Sequence, residues 1–341
     1  MLDIAAQLSQ TPPRKILLIG REHIGDIVNT TGALSAIRAR FPEAHITLDV
    51  GINTVSLLEG TPDVDRIWSR PRRQGLLGKI RAVQRIRQEH FNLAIILDDS
   101  NEHIRIVTLG GVPLRVGIFK SKHAHLYSAF VEHSEHEHDV FDPQSRLLEL
   151  LGINNADLSP RLPVNDAHRH AAAVALRQVG WDGKQSIVGL FVGASDFRKK
   201  WPTERFDAVA NKLRSGWAVF VCGPGEEAEA AAFGHPILVT KSPLVLAAAI
   251  EMMAAFVSND TGPAHISAAV RTPTVVLYGP TDPHRFHPYG SDHQLLFHAV
   301  GCSHYAGHCI SGSVCDRRCM TSISVDEVVD AVQRSSPRPG P

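Results

Sequence analysis

The 341-residue sequence contains no apolar run approaching the roughly 18–20 residues that a membrane-spanning helix needs. Its opening stretch, MLDIAAQLSQTPPRK, lacks the charged-then-apolar layout of an export signal, which makes the cytoplasm the default compartment. Neither sign of charge is in excess. Lys+Arg and Asp+Glu number 35 each, so there is no global field to attract nucleic acid, and any steering of an anion must be local. Two nucleotide-binding fingerprints are missing from the first loop: Gly20…Gly25 is not G-x-G-x-x-G, and no Gly-Lys-Ser/Thr follows. Cysteine is scarce and uneven, with Cys222 alone and Cys302, Cys309, Cys315 and Cys319 close together. Their spacing of x6, x5 and x3 matches no standard zinc pattern. Inert thiols are therefore the first reading. A structural metal, with His304 and His308 as further ligands, stays open but is not favoured. Disulfides come last, because a cytoplasmic setting disfavours them.

What is present is an ordinary globular composition, 43% hydrophobic and 21% charged, in a chain long enough for about two domains. KILLIG reads as a buried strand and REHIGD as a loop. A helix follows from about Ile27 to Arg40, with Ile27, Leu34 and Ile37 on one face and Pro42 as its stop, and then the strand HITLDVG. Strand, loop, helix, strand is the opening of a parallel sheet with helices on its faces. NLAIILDDS and LRVGIF continue it. The breaker-rich stretch Asn154–Asp166 marks a boundary, after which the pattern restarts with SIVGLFVGAS, TERFDAVANKL, WAVFVCG and PILVTKS. The expected division is 1–160, 161–330 and a disordered tail, 331–341. A capping box, Ser324 with Glu327, opens the last helix.

The second half is centred on SNDTGPAHISAAVRTPTVVLYG, a strand–turn–helix–strand unit. Pro263 suits the first position of a helix beginning near Ala264. The amides of Thr261 and Gly262 then point outward at an anion, Gly262 admits a bulky ligand, and His265 looks the same way. Other strand ends carry Ser195, Lys199, Lys200, Glu226, Glu227 and Asp260. Polar groups gathered at one edge of a parallel sheet describe a binding cleft. In the first half, Asp26 stands at the carboxyl end of the first strand, where it serves either as a helix N-cap or as a functional acid. Arg66–Arg87 holds eight cations and no acid. It is either a solvated face or a docking surface for an anionic acceptor or anionic lipid headgroups. The tract VEHSEHEHDV, with His133, His136 and His138, lacks the spacing of a defined metal site and reads as a solvated loop.

Taken together, KILLIGREHIGDIVNTTGALSAIRARFPEAHI, GASDFRKKWPTERF and SNDTGPAHISAAVRTPTVVLYGPTDP resemble glycosyltransferase family 9, the ADP-heptose:lipopolysaccharide heptosyltransferases, over nearly the whole chain. The last of these stretches is the most specific. The resemblance implies an α/β protein of GT-B fold, two Rossmann-like parallel-sheet domains facing a central cleft, the first for the acceptor and the second for a nucleotide sugar. It implies inverting transfer of a heptose from ADP-heptose to an anionic lipopolysaccharide-core acceptor, at or near the cytoplasmic face of the inner membrane. By the same resemblance Asp26 is the general base. Lys199 steadies the departing diphosphate with Ser195, Thr261 and Gly262. Glu226, or its neighbour Glu227, accepts from the ribose hydroxyls, and Asp260 and His265 face the donor. No metal is required. Arg70, Arg72 and Arg73 are the candidate acceptor contacts. The alternatives are a family relative using another nucleotide sugar or a different acceptor, including protein, a nucleotide-sugar epimerase of the same fold, and a non-catalytic binder.

Overall fold

A computed structural model describes residues 3–72, 74–98, 100–119, 122–132, 141–213, 216–290, 293–300 and 315–335. The chain divides into two compact units, Met1–Arg161 and Leu162–Pro341. Arg73, the His133–His138 tract, Cys302, His304, His308, Cys309 and residues 336–341 lie outside the described residues.

In the first unit the strands are β1 (Lys15–Ile19), β2 (His45–Gly51), β3 (Arg66–Arg70), β4 (Leu93–Ile96), β5 (Leu114–Phe119) and β6 (Ala129–Glu132). They form one parallel sheet in the order β3-β2-β1-β4-β5-β6. The second unit contains β7 (Ile187–Phe191), β8 (Trp217–Cys222), β9 (Ile237–Val239), β10 (Ala255–Asn259), β11 (Thr274–Tyr278) and β12 (His293–Phe297). Its parallel sheet runs β12-β11-β10-β7-β8-β9. Counted within each unit, both orders are 3-2-1-4-5-6, the doubly wound Rossmann order. Its consequence is positional. The crevice at the carboxyl ends of the strands, where the winding reverses, falls between β1 and β4 in one unit and between β7 and β10 in the other.

The central strands are continuous apolar runs because helices cover both of their faces. Ile16, Leu17 and Leu18 of β1 are fully buried, as are Val257 of β10 and Val275 of β11. Ile27, Leu34 and Ile37 face the core from the helix Ile24–Arg40, as the spacing predicts. Gly32 is obligatory in this helix, since a Cβ there would lie 2.4 Å from the Leu158 carbonyl group. Among the described residues no helix is long and apolar enough to cross a membrane.

Three expectations shift. The Arg66–Arg87 charge run is not one surface but a strand, β3, followed by the helix Leu76–Glu89. The helix expected to begin near Ala264 begins at Gly262, with Thr261 as N-cap and Pro263 in its first turn. The tail expected to be disordered from residue 331 is helical to Arg334, because Ala331 and Val332 continue the apolar face of Val325–Arg334 into the second unit's core. The Ser324–Glu327 capping box opens that helix as read from the sequence.

Candidate active site

The second unit gathers its polar groups at the carboxyl edge of its sheet. Asn259, the last residue of β10, is fully buried. Its Nδ2 donates to the carbonyls of Val192 at 3.2 Å and Gly193 at 3.0 Å, and its Oδ1 accepts from the Trp201 amide at 3.0 Å. One side chain therefore spans the β7/β10 switch point and pins the loop that carries Ser195 and Lys199. Trp201 anchors the far end of the loop. It is fully buried edge-on against Phe206, 4.9 Å between centroids, and its indole N–H donates to the Ile323 carbonyl. The Asp196 side chain caps the short turn Phe197–Lys199 by accepting from the Arg198 amide.

Held in this way, Lys199 Nζ lies 2.7 Å from Asp260 Oδ2. Asp260 is 6% exposed, and the same oxygen accepts from Thr281 Oγ1 at 2.5 Å. An ammonium has three N–H bonds. One is spent on Asp260, which fixes the position of the cation and leaves two for a ligand. The helix Gly262–Ala269 starts beside this pair with its positive end at the same sheet edge. Thr261, Gly262 and Pro263 are half-buried there, and His265 is buried at the first turn. Ser195 is exposed on the loop.

Glu226 takes up the other side of the edge. The Gly223 amide donates to its Oε2 at 3.1 Å. A Cβ at Gly193 would lie 2.3 Å from that oxygen, and one at Gly223 would lie 2.9 Å from it. Only paired glycines after β7 and β8 let a carboxylate settle on the strand ends. Lys200 points away from Lys199 and pairs with Glu229, which also accepts from Thr203. The two adjacent lysines thus have separate tasks. Cys222 is buried nearby, and burial, reinforced by Glu226 and Glu227, pushes its thiol up to about 11. Of the clustered cysteines, Cys315 is half-buried and Cys319 is buried in the second unit's core.

In the first unit Asp26 lies in the first turn of Ile24–Arg40, half-buried, with Arg21 Nη1 3.9 Å from its carboxylate. The three arginines proposed as acceptor contacts separate. Arg70 is 4% exposed and bonds the carbonyls of Gly20 and Asp49. Its guanidinium also lies 3.5 Å from Asp49, 3.7 Å from Glu22 and 3.8 Å from Asp98. It ties the ends of β1, β2 and β4 together rather than standing in solvent. Burial pushes the Asp49 carboxyl above its ordinary range against the opposing pull of Arg70. Arg72 is exposed and lines a small cavity of about 50 Å³ with Glu22 and His23, on the Asp26 loop. Arg73 is outside the described residues.

Beside Arg70 lies a larger cavity, about 270 Å³, between β3 and the helix Leu76–Glu89. Four residues on its wall carry a buried atom with no hydrogen-bond partner: Asp49 Oδ1, Trp68 Nε1, Arg70 Nε and Gln74 Oε1. Arg81 and Arg85 also line it, Arg85 stacking over the Trp68 ring at 3.6 Å. Asp49 Oδ1 and Arg70 Nε still meet an ion-pair partner at 3.5 and 3.7 Å, so Trp68 Nε1 and Gln74 Oε1 are the atoms that a polar occupant of this space would satisfy. Sequence reading missed Trp68, Gln74, Asn259 and Thr281. Thr281 carried a signal, lying in the GPTDP segment of the most specific stretch. Asn259 carried one as well, a polar residue closing an apolar strand.

The family model of glycosyltransferase family 9 (heptosyltransferase) matches residues 80–309, more than half of the sequence. The chain belongs to glycosyltransferase family 9. Lipopolysaccharide heptosyltransferase 2 of Escherichia coli K12 is 25% identical over 301 residues, covering 79% of this chain and 84% of that protein. The crystal structure of a family 9 glycosyl transferase from Veillonella parvula superposes with a TM-score of 0.82 at 20% identity, over 94% of this chain and 97% of the other. Escherichia coli heptosyltransferase WaaC, solved with ADP-2-deoxy-2-fluoro heptose, gives 0.70 at 17% identity, over 94% and 100%. The fold class is therefore α/β of the GT-B type. Glycosyl transfer is the chemistry against which the two sheet edges are to be read.

Proposed function

We propose that this family 9 protein transfers a heptose from ADP-heptose, with inversion, to a lipopolysaccharide-core or related anionic glycan acceptor. The observation that carries the reading is the Lys199–Asp260–Thr281 cluster beside the start of Gly262–Ala269, opposite the Glu226 carboxylate on the same sheet edge. A diphosphate and a ribose need those two chemistries, fixed positive charge and a carboxylate acceptor, a short distance apart. Family membership and the heptosyltransferase relatives support the sugar class. The curated relatives named for lipopolysaccharide, and the unpaired polar atoms beside Arg81 and Arg85, support an anionic, hydroxyl-rich acceptor.

In this mechanism the C–O bond between the anomeric carbon and the nucleotide breaks through an oxocarbenium-like state. Negative charge grows on the departing diphosphate, where the Lys199 ammonium and the Gly262 helix end oppose it without reorganising. The acceptor hydroxyl acidifies as its oxygen bonds to carbon on the opposite face. Asp26 takes the proton late in that step, and the new bond forms with inverted configuration. Lysine and helix end supply the charge that a metal would otherwise supply. An acceptor carried on lipid would place the protein at the cytoplasmic face of the inner membrane.

Asp26→Asn tests the central role. Donor affinity by calorimetry should persist while turnover falls about 10²–10⁴-fold, the usual contribution of general base catalysis. Near-normal turnover would remove Asp26 as the base. Donor identity is tested by thermal shift. ADP-heptose should raise the midpoint more than UDP- or GDP-sugars do, since a ligand that binds the native state stabilises it by mass action.

A further inference from the structure

His103 is a half-buried imidazole that the transfer chemistry described above does not use. It stands on the helix Asn101–Leu109, which follows β4, and its Nδ1 hydrogen-bonds Asp98 Oδ2. Asp98 is 7% exposed. Its Oδ1 accepts from the Ser100 amide at 3.2 Å, and Arg70 Nη2 lies 3.8 Å from its Oδ2. A carboxylate facing a guanidinium only accepts, so Nδ1 is the nitrogen that carries hydrogen. In the neutral ring Nε2 is then left with its lone pair. Among the described residues Nε2 has no hydrogen-bond partner, and it is not one of the enclosed unpaired atoms, so solvent reaches it. Anchoring the helix to β4 uses the Nδ1 bond alone. The position gives Nε2 a use. β1 and β4 flank the first unit's switch point, and Arg21 joins their ends. Its Nε donates to the Leu97 carbonyl at 3.3 Å, one residue before Asp98, and its Nη1 lies 3.9 Å from Asp26. The imidazole and Asp26 therefore belong to one edge. Glu22, Asp49 and Asp98 gather there around Arg70, and Lys79 is taken up by Glu102. An edge so rich in carboxylates suits the hydroxyl protons of a sugar better than an anion.

We propose that His103, aimed by Asp98, is a specificity residue for the acceptor. Its Nε2 accepts a hydrogen bond from a hydroxyl of an uncharged sugar ring lying along the β1/β4 edge, on the same side as Asp26. An anionic substituent of the acceptor is left to the exposed Arg72. The inference rests on the proposed transferase reading and deepens it, by naming the chemistry through which the first unit recognises its substrate.

Two substitutions separate this role from anchorage of the helix. An asparagine amide takes the place of Nδ1 and keeps the Asp98 bond without Nε2. A glutamine amide reaches the place of Nε2 and gives up the Asp98 bond. Calorimetric titration of the full chain with deacylated lipopolysaccharide core oligosaccharide reads acceptor affinity, and heating reads stability. His103→Asn should weaken oligosaccharide binding about three- to tenfold, the worth of one neutral hydrogen bond. The acceptor KM should rise with kcat little changed, while the melting midpoint and ADP-heptose affinity stay at the parent values. His103→Gln should lower the midpoint yet keep more of the oligosaccharide affinity than asparagine does. The opposite order, with His103→Asn binding as the parent does, leaves the imidazole as an anchor only and overturns the inference. A parent protein that binds ADP-heptose but no oligosaccharide overturns the acceptor reading itself, and the inference with it.

Discussion

Asn259→Ala is the substitution that most directly tests how the β7/β10 edge is held. The side chain is fully buried and makes three hydrogen bonds across the switch point, to Val192, Gly193 and Trp201. Truncation leaves two carbonyls and one amide without partners. Each buried group left unpaired costs about 1–3 kcal/mol, and a water entering the space recovers part of it. A net loss of about 3–5 kcal/mol is expected, which for a domain of this size lowers the melting temperature by about 10 °C. The same change releases the loop between β7 and Trp201, so Lys199 and Ser195 lose their fixed aim and nucleotide-sugar affinity should fall at temperatures where the unit remains folded. Asn259→Asp is the informative companion. It keeps the acceptor for the Trp201 amide but sets a carboxylate oxygen against two carbonyls, and should be at least as damaging as alanine. Calorimetry reads both quantities, by heating for stability and by titration for affinity. If Asn259→Ala melted within about 2 °C of the parent and bound donor normally, the buried amide would not be what organises this edge.

Arg70→Leu should destabilise the first unit by about 3–5 kcal/mol, because it leaves Asp49 buried without its cation and Asp98 with His103 alone. Arg72→Ala should leave the melting temperature unchanged and raise the acceptor KM. Gly193→Ala should weaken donor binding by displacing the Glu226 carboxylate, since its methyl group takes the place of Glu226 Oε2. A crystal structure of that variant with Glu226 unmoved would refute the cause. The Lys200 and Thr203 hydrogen bonds hold the Glu229 carboxyl below its ordinary range. Their stabilisation is therefore present above the ordinary glutamate pKa of about 4.3 and is lost as pH falls through the lower folded value. The melting-temperature gap between parent and Glu229→Gln should accordingly close on acidification and stay constant above neutrality.

The doubly wound sheets were legible because buried parallel strands read as uninterrupted apolar runs, as in KILLIG and TVVLYG. β3 was not, because RIWSR places Trp68 between Arg66 and a buried Arg70 on one side of a strand that has only Ile67 and Ser69 on the other. Charge alone cannot distinguish a guanidinium in solvent from one enclosed by Glu22, Asp49 and Asp98. Those partners lie about 20 to 50 positions away along the chain, and only the sheet order brings them together. The 3-2-1-4-5-6 order itself was beyond sequence reading for the same reason. On the donor side, Lys199, Glu226 and Asp260 were legible as polar residues ending strands. That Asp260 holds Lys199, and that Lys200 is turned toward Glu229, depends on side-chain direction within the turn Phe197–Lys199.

The two units share a strand order yet furnish their switch points with different charged clusters. In the first, Glu22, Asp49 and Asp98 all lie within 3.8 Å of the Arg70 guanidinium, which offsets part of their charge. Asp26 lies outside that network, with Arg21 at 3.9 Å. In the second, a lysine and a helix start form the edge, and the carboxylate closest to the lysine is bound both by it and by Thr281. The transfer proposed above uses this difference. Its leaving group departs into positive charge, which the lysine and the helix start supply. Identical backbone topology cannot supply the difference, so it resides in side chains at the strand ends: Asp49 of β2, Arg70 of β3, and the residues that follow β1, β4, β7, β8 and β10.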